Sequence, residues 1–272
     1  MNNTIYQVDA FTRQSFKGNP AGVYISEKAR SEEWMRGMAR EMNLSETAFL
    51  VPTGANGEYD LRWFTPAVEV DLCGHATLGS AHILWEQGFL DKNTEARFNT
   101  RSGLLTARWM DGGWIALDFP TKQVEPAEIP DGLLEGLRIT EPKFVGSNKM
   151  DYLVEVDTDE QVRNITPDHS QLRRVKLRGV MVTAKSSSPD FDFVSRFFAP
   201  GAGIDEDPVT GSAHTALTPY WAKKLGKKEM TAYQASARGG VLQVVDNGSR
   251  VELRGQALTV FKAELAPQLV SD

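Results

Sequence analysis

The chain states one pattern twice. Arg62-Trp63-Phe64-Thr65-Pro66 recurs as Arg196-Phe197-Phe198-Ala199-Pro200. Soon after each copy, a glycine opens a predicted helix of small residues. The first reads Cys73-Gly74-His75-Ala76-Thr77 and the second Thr210-Gly211-Ser212-Ala213-His214, and each helix is expected to stop at a glycine, Gly88 or Gly226. Further on, Phe98 and Arg101-Ser102-Gly103-Leu104-Leu105 are answered by Tyr233 and Arg238-Gly239-Gly240-Val241-Leu242. Arg62 and Arg196, Gly74 and Gly211, and Arg101 and Arg238 are all separated by nearly the same interval, close to half of the chain. An offset so steady predicts two similar halves from a duplication. In a pseudo-twofold fold, equivalent segments face each other. A ligand between the halves would then meet two helix N-termini.

Composition narrows the class. The chain is 41% hydrophobic and 24% charged, ordinary for a soluble globular protein, and its net charge of −6 excludes a wide basic surface for nucleic acid. Its longest apolar runs fall far short of the roughly 20 residues that span a bilayer, so no membrane association is expected. The start, Met1-Asn2-Asn3-Thr4, shows no secretory signal. Cys73 is the single cysteine, which excludes an internal disulfide and suits a reducing cytoplasm. Pro120, Pro126, Pro130 and Pro142 punctuate a weakly periodic stretch that reads as a linker. The expected domains are 1–119 and 120–261, with the tail at about 262–272 packing on the first.

Each half reads as mixed α/β. Strands are predicted at Ile5–Ala10, Ala21–Ile25, Thr47–Val51 and Tyr59–Phe64, with a helix after Ser31, whose hydroxyl can cap it ahead of Glu32 and Glu33. The Ala76–Gln87 helix follows, then a hairpin of Ala107–Met110 and Trp114–Phe119 across Asp111-Gly112-Gly113. The second half repeats the scheme. It has strands at Tyr152–Val156, Gly179–Thr183 and Asp192–Phe198, and a short helix capped by Thr166 or Asp168 and running through Leu172. The Ser212–Leu225 helix precedes a hairpin of Gly240–Val245 and Arg250–Arg254.

The two principal helices are apolar on most faces and carry small residues near their starts. Such helices are buried, and each half is expected to wrap a sheet around one of them. Their first turns are where chemistry should sit, because unpaired N–H groups and a partial positive charge bind carboxylate or phosphate. Gly74 allows close approach, with His75 and Thr77 as side-chain donors; Thr210, Gly211 and Ser212 correspond in the second half. Thr210 or Ser212 could instead be a plain cap. His75 at a helix start should be neutral, a donor or proton relay. No pair among His75, His82 and His214 has a zinc-helix spacing, so no metal is expected. Cys73 could be an activated thiol or merely a buried one.

Four ordered blocks now carry a resemblance: Asn43-Leu44-Ser45-Glu46-Thr47-Ala48-Phe49; Arg62-Trp63-Phe64-Thr65-Pro66; Glu69-Val70-Asp71-Leu72-Cys73-Gly74-His75-Ala76-Thr77; and Asp205-Glu206-Asp207-Pro208-Val209-Thr210-Gly211-Ser212-Ala213-His214. Together they resemble the phenazine-biosynthesis PhzF-like isomerases over essentially the whole chain. The resemblance implies an α+β, diaminopimelate epimerase-like fold: two pseudo-symmetric halves, each a curved mixed sheet around a central helix, with the site in the cleft between them. It implies a proton shift needing no cofactor, with the acid/base carboxylate on Glu46 and with His75, Asp207 and Ser212 as polar site residues. Gly74 and Gly211 match its backbone donors. Cys73 and Thr210 flank them, and Asn19 falls in its substrate-side loop. A homodimer is expected.

Epimerases of that fold use a cysteine from each half. Here the second half offers Thr210, so a two-thiol mechanism is impossible and one carboxylate carrying the proton fits better. Glu46 enters an apolar strand, where burial raises a carboxyl pKa towards neutrality, as a proton carrier needs. The expected function is isomerisation of a small carboxylated, amino-bearing metabolite. A binding protein without turnover and a Cys73-dependent thiol enzyme are the alternatives.

Overall fold

A computed structural model describes residues 3–270; Met1, Asn2, Ser271 and Asp272 lie outside the described residues. The chain divides into two units, one running to Asp118 and resuming at Arg254, the other Phe119–Leu253. Expectation gave the first half only the tail from about 262. Its share begins earlier because the last strand runs along the first.

The first unit contains β1 (Thr4–Ala10), β2 (Asn19–Ile25), α1 (Glu32–Met42), β3 (Glu46–Pro52), β4 (Glu58–Phe64) and the short β5 (Glu69–Val70). Then come α2 (Gly74–Glu86), β6 (Ala96–Thr100), β7 (Gly103–Met110) and β8 (Trp114–Pro120), within which the division falls. The Ser31 hydroxyl accepts from the Trp34 N–H at 3.2 Å and caps α1, and Asn43 closes it in a left-handed conformation. Met35, Met38 and Ala39 of α1 pack with Ile5, Tyr24, Phe49 and Phe64.

The second unit contains β9 (Glu125–Pro126), α3 (Leu133–Leu137), β10 (Phe144–Ser147), β11 (Asp151–Glu155), α4 (Asp159–Asn164), α5 (His169–Leu172), β12 (Gly179–Lys185) and β13 (Phe193–Ala199). It continues through β14 (Ile204–Asp207), α6 (Gly211–Leu225), β15 (Glu229–Gln234), β16 (Gly240–Asp246) and β17 (Arg250–Gly255), within which the chain passes back to the first unit, and β18 (Ala257–Glu264) belongs to that first unit.

The duplication is written in the strand pairings. In the first unit β1–β2 is antiparallel, β2–β3 parallel, β3–β4 antiparallel, β4–β6 parallel and β6–β7 antiparallel. In the second, β10–β11, β11–β12, β12–β13, β13–β15 and β15–β16 follow the same alternation. The short β5 and β14 hang antiparallel on β4 and β13. Even the outer neighbours agree, since β18 lies antiparallel to β1 and β9 to β10.

The Arg-x-Phe repeat has a shared job. Arg62 makes a two-pronged bond to Glu69 (2.8 and 2.6 Å) and its guanidinium lies over Phe64. Arg196 does the same with Glu206 (2.7 and 2.8 Å) and Phe198. In each unit the pair ties a short strand to the strand that precedes the central helix.

Every residue of α2 from Gly74 to Trp85 is buried, and the helix packs on β1, β2, β3 and β18. Gly79 faces β1 and β2. A methyl group there would meet Val8 at 3.5 Å and Val23 at 3.8 Å, ordinary contact distances. Gly79→Ala is therefore expected to raise stability by roughly 0.5–1 kcal/mol through helix propensity, read as a higher urea midpoint. A lowered midpoint would show the packing to be tighter than these distances. In α6, Pro219 cannot donate to Thr215, one turn back. The Lys122 N–H takes that carbonyl instead, at 3.1 Å, so the proline-punctuated segment is stitched to the helix.

Candidate active site

Three expected residues of the first unit meet at one point. Glu46 is the first residue of β3, paired in register with Ala21, shortly after Asn19 opens β2. Cys73 is the N-cap of α2, and His75 is the helix's second residue. The Glu46 Oε2 lies 3.2 Å from His75 Nε2, and Cys73 Sγ lies 3.5 Å from His75 Nδ1. The imidazole thus sits between a carboxylate and a thiol. Asn19 is fully buried at the strand start.

Burial pushes the His75 pKa down to about 3, so the ring is neutral in any ordinary buffer. A neutral imidazole has one N–H. Placing it on Nε2 turns the N–H side of the ring towards the Glu46 carboxylate, 3.2 Å away, and leaves Nδ1 to accept the Cys73 S–H. The helix start itself carries no side-chain cap, so the first-turn N–H groups around Gly74 keep their capacity for an anion.

One ligand atom each from Glu46, Cys73 and His75 fall within 4.8 Å of one another. This mixed O, S, N set could hold a zinc-like ion. Local spacing does not announce it, because Glu46 comes from β3, well before Cys73 in the chain and with β4 and β5 in between. The same three atoms equally make a proton-handling group.

In the second unit the expected residues divide into two groups. Thr210 is the N-cap of α6 by position, yet it makes no capping bond; its hydroxyl donates to Asp207 Oδ2 at 2.6 Å. Gln234, fully buried at the end of β15, accepts from the Thr210 N–H at 2.8 Å and donates to the Asp207 carbonyl at 2.7 Å. It locks the Asp207–Gly211 turn and was missed in the sequence, where a lone Gln at a strand end carries no signal. Ser212 belongs to the other group. Its hydroxyl accepts from Arg178 at 3.3 Å, and Arg178 is in turn paired with the buried Asp151. A basic run, Arg173-Arg174-Val175-Lys176-Leu177-Arg178, was the available clue.

Equivalence between the units explains which half holds the carboxylate. Thr47 pairs with Phe64 as Val180 pairs with Phe198, so Glu46 corresponds to Gly179. A Cβ at Gly179 would lie 2.3 Å from the Phe197 ring, which fills the space a side chain would need. Gly74 and Gly211 each open their helix, so His75, next in line, corresponds to Ser212.

His214 is fully buried in α6, with Nδ1 bonded to the Thr210 carbonyl at 2.8 Å and its pKa pushed down to about 4 by burial. Both buried histidines titrate near 6.5 when unfolded, so the unfolded chain binds more protons as pH falls below that value. Stability is expected to be complete above about pH 6.5 and to fall progressively towards pH 4 and then 3. Melting curves from pH 7 to 4 check this. His214→Gln should flatten the acid slope, and an unchanged slope would assign the loss to other groups.

Comparison with known proteins places this geometry. The family described as phenazine biosynthesis-like protein matches residues 8–263. An uncharacterized isomerase of Halalkalibacterium halodurans is 52% identical over 97% of this chain and 99% of its own. The crystal structure of a phenazine biosynthesis protein of the PhzF family from Enterococcus faecalis superposes with a TM-score of 0.91 at 42% identity, covering 98% of this chain and 100% of that one. A probable proline racemase from Agrobacterium radiobacter shares the fold alone, with a TM-score of 0.62 at 12% identity over 98% and 94% of the chains. The α+β, epimerase-like fold follows from these likenesses and from the strand pairings repeated in the two units, each with its buried helix. With a mostly buried carboxylate against a neutral imidazole at an uncapped helix start, the chain belongs to the phenazine biosynthesis-like PhzF family and is an isomerase.

Proposed function

We propose that this isomerase moves a proton between two carbons of a small carboxylated, amino-bearing metabolite without a cofactor, and that Glu46 carries the proton. The observation behind the reading is the 3.2 Å contact of Glu46 Oε2 with the buried, neutral His75. The Glu46 carboxylate takes a proton from a C–H bond, and the electron pair left behind spreads into the adjoining unsaturated or carboxyl system. The protonated carboxyl then delivers the proton to a second carbon. His75 steers the carboxylate through its N–H and needs no charge of its own. The uncapped first turn of α2 binds the substrate carboxylate and stabilises negative charge as it develops.

The contact of Cys73 Sγ with His75 Nδ1 at 3.5 Å favours one other reading, a thiol made reactive by the imidazole. Thr210 stands at the equivalent position of the second unit, so no second thiol exists to complete a symmetric exchange. The deciding experiment offers a panel of amino and hydroxy acids to the chelator-treated enzyme in deuterated water. Enzyme-dependent C–H exchange supports the proposal. A ligand that binds without exchange points to a binding protein, and exchange that needs added metal removes cofactor independence. Loss of activity on alkylation only in wild type, with Cys73→Ala also inactive, supports the thiol reading.

A further inference from the structure

The second unit carries a surface pocket of about 540 Å³, lined among others by Ser147, Lys149, Tyr152, Lys176 and Arg178. That volume lies in the range of small-ligand sites. Its charge is unusual for a chain of net −6, because three of the lining side chains are cations and none is an acid. Arg178 is paired by Nε and Nη2 with Asp151 behind it, which offsets its charge, while Nη1 reaches Ser212 Oγ at 3.4 Å with one of its two N–H groups. Lys149 and Lys176 are exposed, and among the described residues neither ammonium has an ion-pair partner. Two uncompensated positive charges therefore share the lining with a neutralised guanidinium fork.

The positions are held, not incidental. Lys149 sits at φ +73°, in a turn where Ser147 Oγ accepts from its N–H at 3.0 Å and Asn148 Oδ1 accepts from the Met150 and Asp151 N–H groups. The Arg178 N–H donates to the Met150 carbonyl at 3.1 Å, clipping this turn to the segment that carries Lys176. Two like charges kept on one concave surface without a counterion repel one another, and a bound anion relieves that repulsion.

We propose that this pocket binds a dianionic group, a phosphate monoester or a dicarboxylate, with Lys149 and Lys176 supplying the charge and Arg178 a directed N–H donor. The proposal does not rest on the role of Glu46. Titration calorimetry of the full chain at low ionic strength, with inorganic phosphate and separately with malonate, tests it. Binding of either supports the pocket, and the preferred probe names the chemistry. Lys149→Ala and Lys176→Ala should each weaken that binding about tenfold, the loss of one charge-assisted bond, while Lys→Arg at the same positions restores it. Added salt should weaken it further. Both lysines are exposed, so unchanged melting temperatures confirm folding; should one variant melt early, the other decides. No binding of either anion to the wild type, or binding unmoved in both alanine variants, overturns the proposal. So does tighter binding of a single-stranded oligonucleotide lost in the same variants, which would make the cations part of a macromolecular surface.

Discussion

Glu46→Gln is expected to lower turnover by about 10²–10⁴-fold, the usual contribution of a positioned acid–base group, while the substrate still binds. The amide keeps the shape of the side chain and an oxygen to accept from His75 Nε2, but it loses the group that titrates. His75→Asn should fall in between, since a donor survives at the helix start while the ring that spans Glu46 and Cys73 is gone. Cys73→Ala should be mildest, because the thiol meets the imidazole on the side away from Glu46. The ordering is the test. Steady-state kinetics showing Cys73→Ala dead and Glu46→Gln near normal would transfer the reaction to the thiol.

The largest effect on stability should come from Arg196→Met. The Arg196 guanidinium serves Glu206 and also the carbonyls of Val162, Arg163 and Ile165 at the end of α4, at 3.4, 3.3 and 2.7 Å. Its side chain is 11% exposed and that of Glu206 20%. Removing the cation strands a mostly buried carboxylate, a loss of about 3–5 kcal/mol. A melting temperature lower by on the order of 10 °C follows for a chain of this size. Arg62→Met should be gentler although its pair looks the same. Glu69 keeps a second cation, Arg101, at 2.6 Å, and Arg62 is 35% exposed. Equal losses at the two sites would mean that the carbonyl bonds at α4 contribute nothing.

Much of the architecture was legible because duplication repeats its own punctuation. Glycines at equal offsets, a proline after each Arg-x-Phe block and the alternation of β4 are local signals that need no tertiary contact. Others were too short or too mixed to read. The α4 helix has a capping box of Thr158 and Gln161 but is too short to show a period. Asp168, not Thr166, caps the single turn of α5. β18 exposes Val260 and Phe261 side by side, which defeats a search for alternation. In the site, Cys73 and His75 are near neighbours in the chain and could be paired on sight. Glu46 reaches them only because β3 lies beside β2 and α2 packs on both, so its place was legible through family resemblance alone. Asp151 and Arg178 come from separate segments that a parallel strand pair brings side by side, and they left no local trace beyond a basic run.

The ring of Phe197 against Gly179 has a stereochemical meaning. Racemisation removes a proton from one face of a carbon and replaces it from the other, which takes two bases. In this chain the twin of the Glu46 position is filled by an aromatic ring, and a glutamate introduced at Gly179 would have to expel it. On the proposed reading one carboxylate, Glu46, both collects and delivers the proton, and it does so from a single side of the substrate. That reading predicts a suprafacial shift: deuterium from solvent should enter on the face from which hydrogen left, and the product should emerge as one enantiomer.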